Sequence, residues 1–274
     1  MIVNRYSSVE PRIHTDPVPQ RGPAANHVRI ARLPIHFFAV AIAFFGLGVA
    51  AAPWVVGDLL DFFYQPWPLA LTHIFTLGWI TAAMMGVMYR YVPALTKRPL
   101  RFPRLALLQL WLFVVGVMGM VAHFVIGYWI ATWLAAAVVV VSVALFALNM
   151  LLCLAPAGRR GVAEPGMLLA VLYLLVAAIL GLLLAVDKTF GFLHGSVITN
   201  LAGHAHLAAL GWVSLTICAV SYRMVPAFLL PEIELPRAAI WQLYGLAVAV
   251  AGLGIALLGG IGGAPIWSTA ILLA

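Results

Sequence analysis

Long apolar runs, separated by short clusters of proline, arginine and aspartate, recur along the chain. They cover about 33–56, 68–93, 105–127, 130–154, 166–187, 197–230, 238–261 and 265–274. A helix of ~20 apolar residues crosses a bilayer. In lipid every backbone polar group must be paired internally, which leaves helices or closed barrels. These runs are too long and too uniformly apolar for barrel strands, which alternate over roughly 10 residues. The pattern therefore predicts an all-α polytopic membrane protein with about eight transmembrane helices. The sixth run is longer than a bilayer needs, so it is expected to include non-spanning residues at both ends. The last run is still apolar at Ala274, so the chain is expected to be a fragment.

Composition agrees with this pattern. Hydrophobic residues make up 65% of the 274 positions and charged residues 8%, against about 25% charged in a soluble domain. Residues 1–32 are rich in proline, arginine and small polar side chains and read as a disordered cytoplasmic tail. They are not a signal peptide, because the first apolar run begins only after them.

The net charge of +7 raises nucleic acid as a partner, but the basic residues sit in loops between apolar runs, as membrane anchors do. No nucleic-acid partner is expected; membrane lipid is. Arg5, Arg12, Arg21, Arg29 and Arg32 precede the first run. Arg90, Lys97, Arg98, Arg101 and Arg104 follow the second. Arg159, Arg160, Arg223 and Arg237 fall on the same side, and only Lys188 falls on the other. This bias puts the N-terminus in the cytoplasm, in what is expected to be a bacterial inner membrane. The two cysteines, Cys153 and Cys218, form neither a CxxC nor a CxxCH.

Laying His73 on His206 aligns two stretches of the chain without a gap. In that register Gly78-Trp79 falls on Gly211-Trp212, Tyr89-Arg90 on Tyr222-Arg223, and Pro93 on Pro226. Pro103-Arg104 falls on Pro236-Arg237, and Gln109 on Gln242. The pattern predicts a four-helix unit used twice in the same orientation, a parallel repeat. Its copies would be residues 33–160 and 161–274, with the last helix of the second incomplete.

The histidines carry the candidate chemistry. His73 and His206 each lie 17 residues before an arginine, about 25 Å along a helix, so both are expected near the outer leaflet at one depth. Two imidazoles at one depth on two helices are what a bis-histidine heme iron requires. His204 is two residues from His206. Positions i and i+2 do not share a helix face, so this pair is expected to serve two neighbouring compartments. Alternatively, an intramembrane histidine simply bonds a neighbour's carbonyl. His123 and His194 are secondary candidates, as a ligand or as a partner for a heme propionate, with packing the plainer reading of His123.

GHAHLAALGWVSLTICAVSYRMVPAF, residues 203–228, resembles the tenth helix of subunit I in heme–copper oxidases, most of all the cbb-type oxidases and the related nitric oxide reductases. The resemblance implies that His204 is axial to a high-spin heme and His206 to a low-spin heme b. It also implies that His73, in THIFTLGWITAAMMGVMYRYVP, is the other low-spin ligand. The family's copper site has no counterpart: no His-His pair occurs, and residues 238–261 contain no histidine. Copper is therefore not supported by this chain. No acidic residue lies deep in a span, so no proton path is assigned.

The expected function is electron transfer through a bis-histidine heme b, with His204 offering a ligand for a second heme that takes O2 or NO. Cytochrome c or a quinol is the expected donor, and partner subunits are expected. Whether the chain turns over as an oxidase or a nitric oxide reductase is left open. Two other readings stand beside this one: a membrane protein that captures or senses heme, copper or nitric oxide, and a transporter with structural histidines.

Overall fold

The computed structural model describes residues 32–155, 161–229, 237–260 and 263–273. The expected tail, residues 1–32, lies outside them except for Arg32. The described residues are helical and contain no strand. Among the described residues seven helices are long and apolar enough to cross a membrane: α1 (Leu33–Asp61), α2 (Pro66–Thr96), α3 (Pro103–Val125), α4 (Trp129–Leu154), α5 (Ala163–Phe190), α6 (Val197–Phe228) and α7 (Ala238–Leu258). The protein is an all-α polytopic membrane protein. The eighth apolar run forms a shorter helix, α8 (Ala264–Leu273).

The chain sets these limits locally. Prolines at the first turns of α1, α2 and α3 cost no helical hydrogen bond there, because the first N–H groups have no partner within the helix. Gly191 closes α5 at φ 61°, a left-handed cap suited to glycine, and its N–H bonds Asp187 O at 2.8 Å. Just beyond, the Asp187 carboxylate accepts Leu193 N–H at 2.6 Å. The Lys188 ammonium lies 4.4 Å from the Tyr64 ring centre and 4.6 Å from that of Trp129. This cation–π contact ties the end of α5 to the α1–α2 connection and to the start of α4.

Lipid tails are as apolar as leucine, so close packing holds such helices together more than the hydrophobic effect does. α3 meets α4 at Gly116, where a Cβ would come 2.7 Å from Val139 Cγ2. The interior contains Phe37, Met85, Met88, Phe113, Phe146, Met150, Met167 and Trp212, all fully buried. One polar cluster lies among them. Gln109 donates to Ser142 Oγ at 3.0 Å, Ser142 donates back to Gln109 O at 2.8 Å, and Tyr89 donates to Gln109 Oε1 at 3.3 Å. These bonds join α2, α3 and α4 at buried positions.

Several local features recur in the register that lays His73 on His206. Tyr89 with Gln109 is matched by Tyr222 with Gln242, where the hydroxyl donates at 3.2 Å. Eight-residue π-helical stretches run over Ile74–Thr81 in α2 and Leu207–Ser214 in α6. Both begin immediately after a histidine, His73 and His206. The histidine-bearing helices are continuous, but each widens into this looser winding, which is often found at functional sites.

Candidate histidine site

α2 and α6 meet where their π stretches lie. The Trp212 indole N–H donates to Thr81 Oγ1 at 3.3 Å, both groups being buried. Glycine lets each helix seat close to a neighbour: a Cβ on Gly78 would overlap the Phe44 ring of α1, and one on Gly211 the Tyr173 ring of α5. His73 lies eight residues before Thr81, and His204 eight residues before Trp212, on helices running the same way. The two imidazoles therefore stand at similar height above the contact.

Each imidazole is held by a backbone carbonyl. His73 Nδ1 bonds Leu69 O at 2.7 Å, one helical turn back, and packs against the Phe124 ring at 5.1 Å between centres. His204 Nδ1 bonds Ala177 O of α5 at 3.1 Å. Gly181 makes room for that ring, since a Cβ there would come 3.0 Å from His204 Cε1. A carbonyl only accepts, so Nδ1 carries the proton in each case and Nε2 keeps its lone pair in the neutral ring. Metal-binding histidines are commonly oriented by this kind of outer bond.

The other candidates are placed differently. His206 Nδ1 bonds Ala202 O at 2.7 Å, the same turn-back bond that His73 makes, but its side chain is exposed. Among the described residues no interaction links it to His73. His204 and His206 point to different sides of α6, as their spacing predicted. His123 is half-buried, with Nδ1 on Gly119 O at 2.6 Å and its ring 6.2 Å from that of Tyr128. His194 is exposed in the α5–α6 connection, where its carbonyl accepts from Asn200 Nδ2 at 3.1 Å. Among the described residues no hydrogen bond or ring contact links either to His73 or His204.

The donor set fits heme iron better than a bare metal ion. Among the described residues no group of three or more His, Cys, Asp or Glu side chains gathers to hold a metal. Zinc sites generally need three or four protein ligands. A porphyrin supplies four nitrogens itself, so one or two neutral imidazoles with free Nε2 atoms suffice.

Reasoning from sequence singled out the histidines but missed Gly181, the Trp212–Thr81 contact and the π windings. The only signal for the last two was the Leu-Gly-Trp repeated after each histidine. No protein-family model, curated protein or solved structure matches the chain.

Proposed function

We propose that the chain is a membrane b-type heme protein that carries electrons, with heme iron held between α2 and α6. The observation that carries this reading is the pairing of His73 with His204. Two intramembrane imidazoles stand at similar height above the Trp212–Thr81 contact, each with Nδ1 fixed by a backbone carbonyl and Nε2 left to bind. Ionisable groups are costly in lipid and tend to mark function. When bound, heme supplies one-electron redox chemistry at its iron. The chain's own residues orient the imidazoles through Leu69 O and Ala177 O and exclude water with Phe124 and the neighbouring helices. His73 is the α2 ligand. The resemblance implies His206 as its partner on α6, whereas the geometry favours His204 and leaves His206 for a second heme or a gas-binding site. Cytochrome c or a quinol is the proposed donor.

The excess of arginine and lysine at one end of the helices supports a cytoplasmic N-terminus in a bacterial inner membrane.

The test is a reduced-minus-oxidised absorption spectrum of the purified protein and of its His73→Ala, His204→Ala and His206→Ala variants. A sharp b-type spectrum lost in His73→Ala and in His204→Ala is expected. Protein that stays colourless after incubation with heme would overturn the reading.

A further inference from the structure

Within the chain, one joint links the first helices to the later ones. Its buried polar contact is the Trp212 indole N–H on Thr81 Oγ1, with Phe146 of α4 edge-on to Trp212 at 6.1 Å between ring centres. Its apolar part includes α5, which packs along α4. Met167, Val171 and Leu174 of α5 are 0, 0 and 4% exposed.

The two polar groups that form this joint each have a counterpart elsewhere in the chain, and so does its α5 surface. In the register that lays His73 on His206, Trp212 corresponds to Trp79 and Thr81 to Ser214. The donor is again an indole N–H and the acceptor again a hydroxyl. Here the two do not meet. Trp79 is 37% exposed, and its indole nitrogen has no hydrogen bond among the described residues. The Ser214 hydroxyl bonds only a carbonyl of its own helix, Ala209 O at 3.1 Å.

The first helices tell the same story in a slightly shorter register, one that lays Phe44 on Tyr173. That register is set by two contacts: Phe44 on Gly78 matches Tyr173 on Gly211, and Phe37 on Gly86 matches Gly166 on Ala219. In it Phe38, Ile42 and Phe45 of α1 correspond to Met167, Val171 and Leu174. The α1 residues are 39, 70 and 39% exposed.

Lipid alone covers an exposed apolar face well. It does not satisfy an indole N–H or an imidazole at membrane depth. Trp79 and Phe45, whose rings pack 4.5 Å apart, lie on one open surface. Ser214 and His206 lie on the other. These carry the two polar halves of the joint seen inside the chain, and a second copy of the chain supplies each with the partner it lacks.

We propose that copies of this chain associate head to tail in the membrane, Trp79 of one copy meeting Ser214 of the next. Such a contact is heterologous, so it closes into a ring or extends as an array. It buries His206 without rebuilding the histidine pair, because the position that corresponds to His204 in the first half is Leu71. The association therefore stands whether or not heme binds.

The test uses the full chain in lipid nanodiscs, with Cys153→Ala and Cys218→Ala as background. Trp79→Cys and Ser214→Cys chains are co-expressed and treated with a short bis-methanethiosulfonate linker. A chain carrying both Thr81→Cys and Trp212→Cys is the internal control, and it should cross-link without gaining mass. The expected result is a cross-linked dimer in the mixture and none with either single variant alone. As a second readout, the unsubstituted protein should sediment as a multimer. Trp79→Phe should raise its dissociation constant about tenfold, as loss of one intramembrane hydrogen bond implies. Monomers in the mixture alongside a cross-linked control, or dimers with one single variant alone, would overturn the proposal.

Discussion

His73 and His206 have the same local geometry and opposite surroundings. Each ends an α-helical stretch, starts a π stretch and turns Nδ1 back to the carbonyl four residues earlier. Yet His73 is half-buried against Phe124, while His206 is exposed. Local geometry follows the residues within a turn or two, and these are shared. Environment follows what packs from outside: the Phe124 ring of α3 lies against His73, while the corresponding position on α7 is Leu257 and His206 stays exposed. A repeated motif can therefore hold one imidazole ready for a ligand and leave its twin at a surface.

The strongest way to break this comparison is to exchange the histidines' fates. If burial and pairing decide ligation, His73→Ala and His204→Ala should each abolish the low-spin b-type absorbance, while His206→Ala keeps most of it. Retention in His204→Ala with loss in His206→Ala would show that the twins pair across the two helices after all. Absorption spectra and pyridine hemochrome titration of the four proteins decide between these outcomes.

The next contrast concerns helix seating. Phe37 opposes Gly86 in the first half, and Gly166 opposes Ala219 in the second, so the small residue has changed sides. A Cβ on Gly166 would come 2.6 Å from Ala219 Cβ and 2.9 Å from Leu243 Cδ1. Gly166→Phe should destabilise the protein by about 3 kcal/mol, as overpacking does. Adding Ala219→Gly should recover part of that loss. Gly46→Ala, with nothing within 4 Å of the added Cβ, should change stability little. Thermal unfolding in detergent measures all three. Equal losses in Gly166→Phe with and without Ala219→Gly would show that the two halves are not seated alike.

Much of this architecture was legible in the sequence. Apolar runs gave seven spans to within a few residues, because lipid leaves a long apolar run almost no alternative to helix. The opposite facing of His204 and His206 followed from helical period alone. What was not legible depended on which helices touch. That α6 lies beside α2 with Trp212 on Thr81 joins residues 131 apart, and glycines 78, 181 and 211 find their close neighbours on other helices. In the gap-free register the Tyr89–Gln109 contact falls on Tyr222–Gln242. That register shortens at the first helices, where Phe44 and Tyr173 occupy matching places.

A smaller effect sharpens the same comparison in the interior. Gln109 is fully buried and joins three partners, Tyr89, Ser142 and Met85, the last through its sulfur at 3.4 Å. Gln242 is half-buried and is joined by Tyr222. A buried polar group that loses its partner cannot turn to water, so Gln109→Leu leaves the Tyr89 hydroxyl stranded and should cost about 1–3 kcal/mol. Gln242→Leu leaves its tyrosine nearer the surface, where lipid headgroups or water can replace the lost acceptor, and should cost under about 1 kcal/mol. Tyr89→Phe should remove most of the penalty of Gln109→Leu, because the stranded donor is then gone. Unfolding of the single and double variants gives the coupling directly. If Gln242→Leu proved the costlier change, the second half would be the better packed of the two, and the burial that separates His73 from His206 would need another cause.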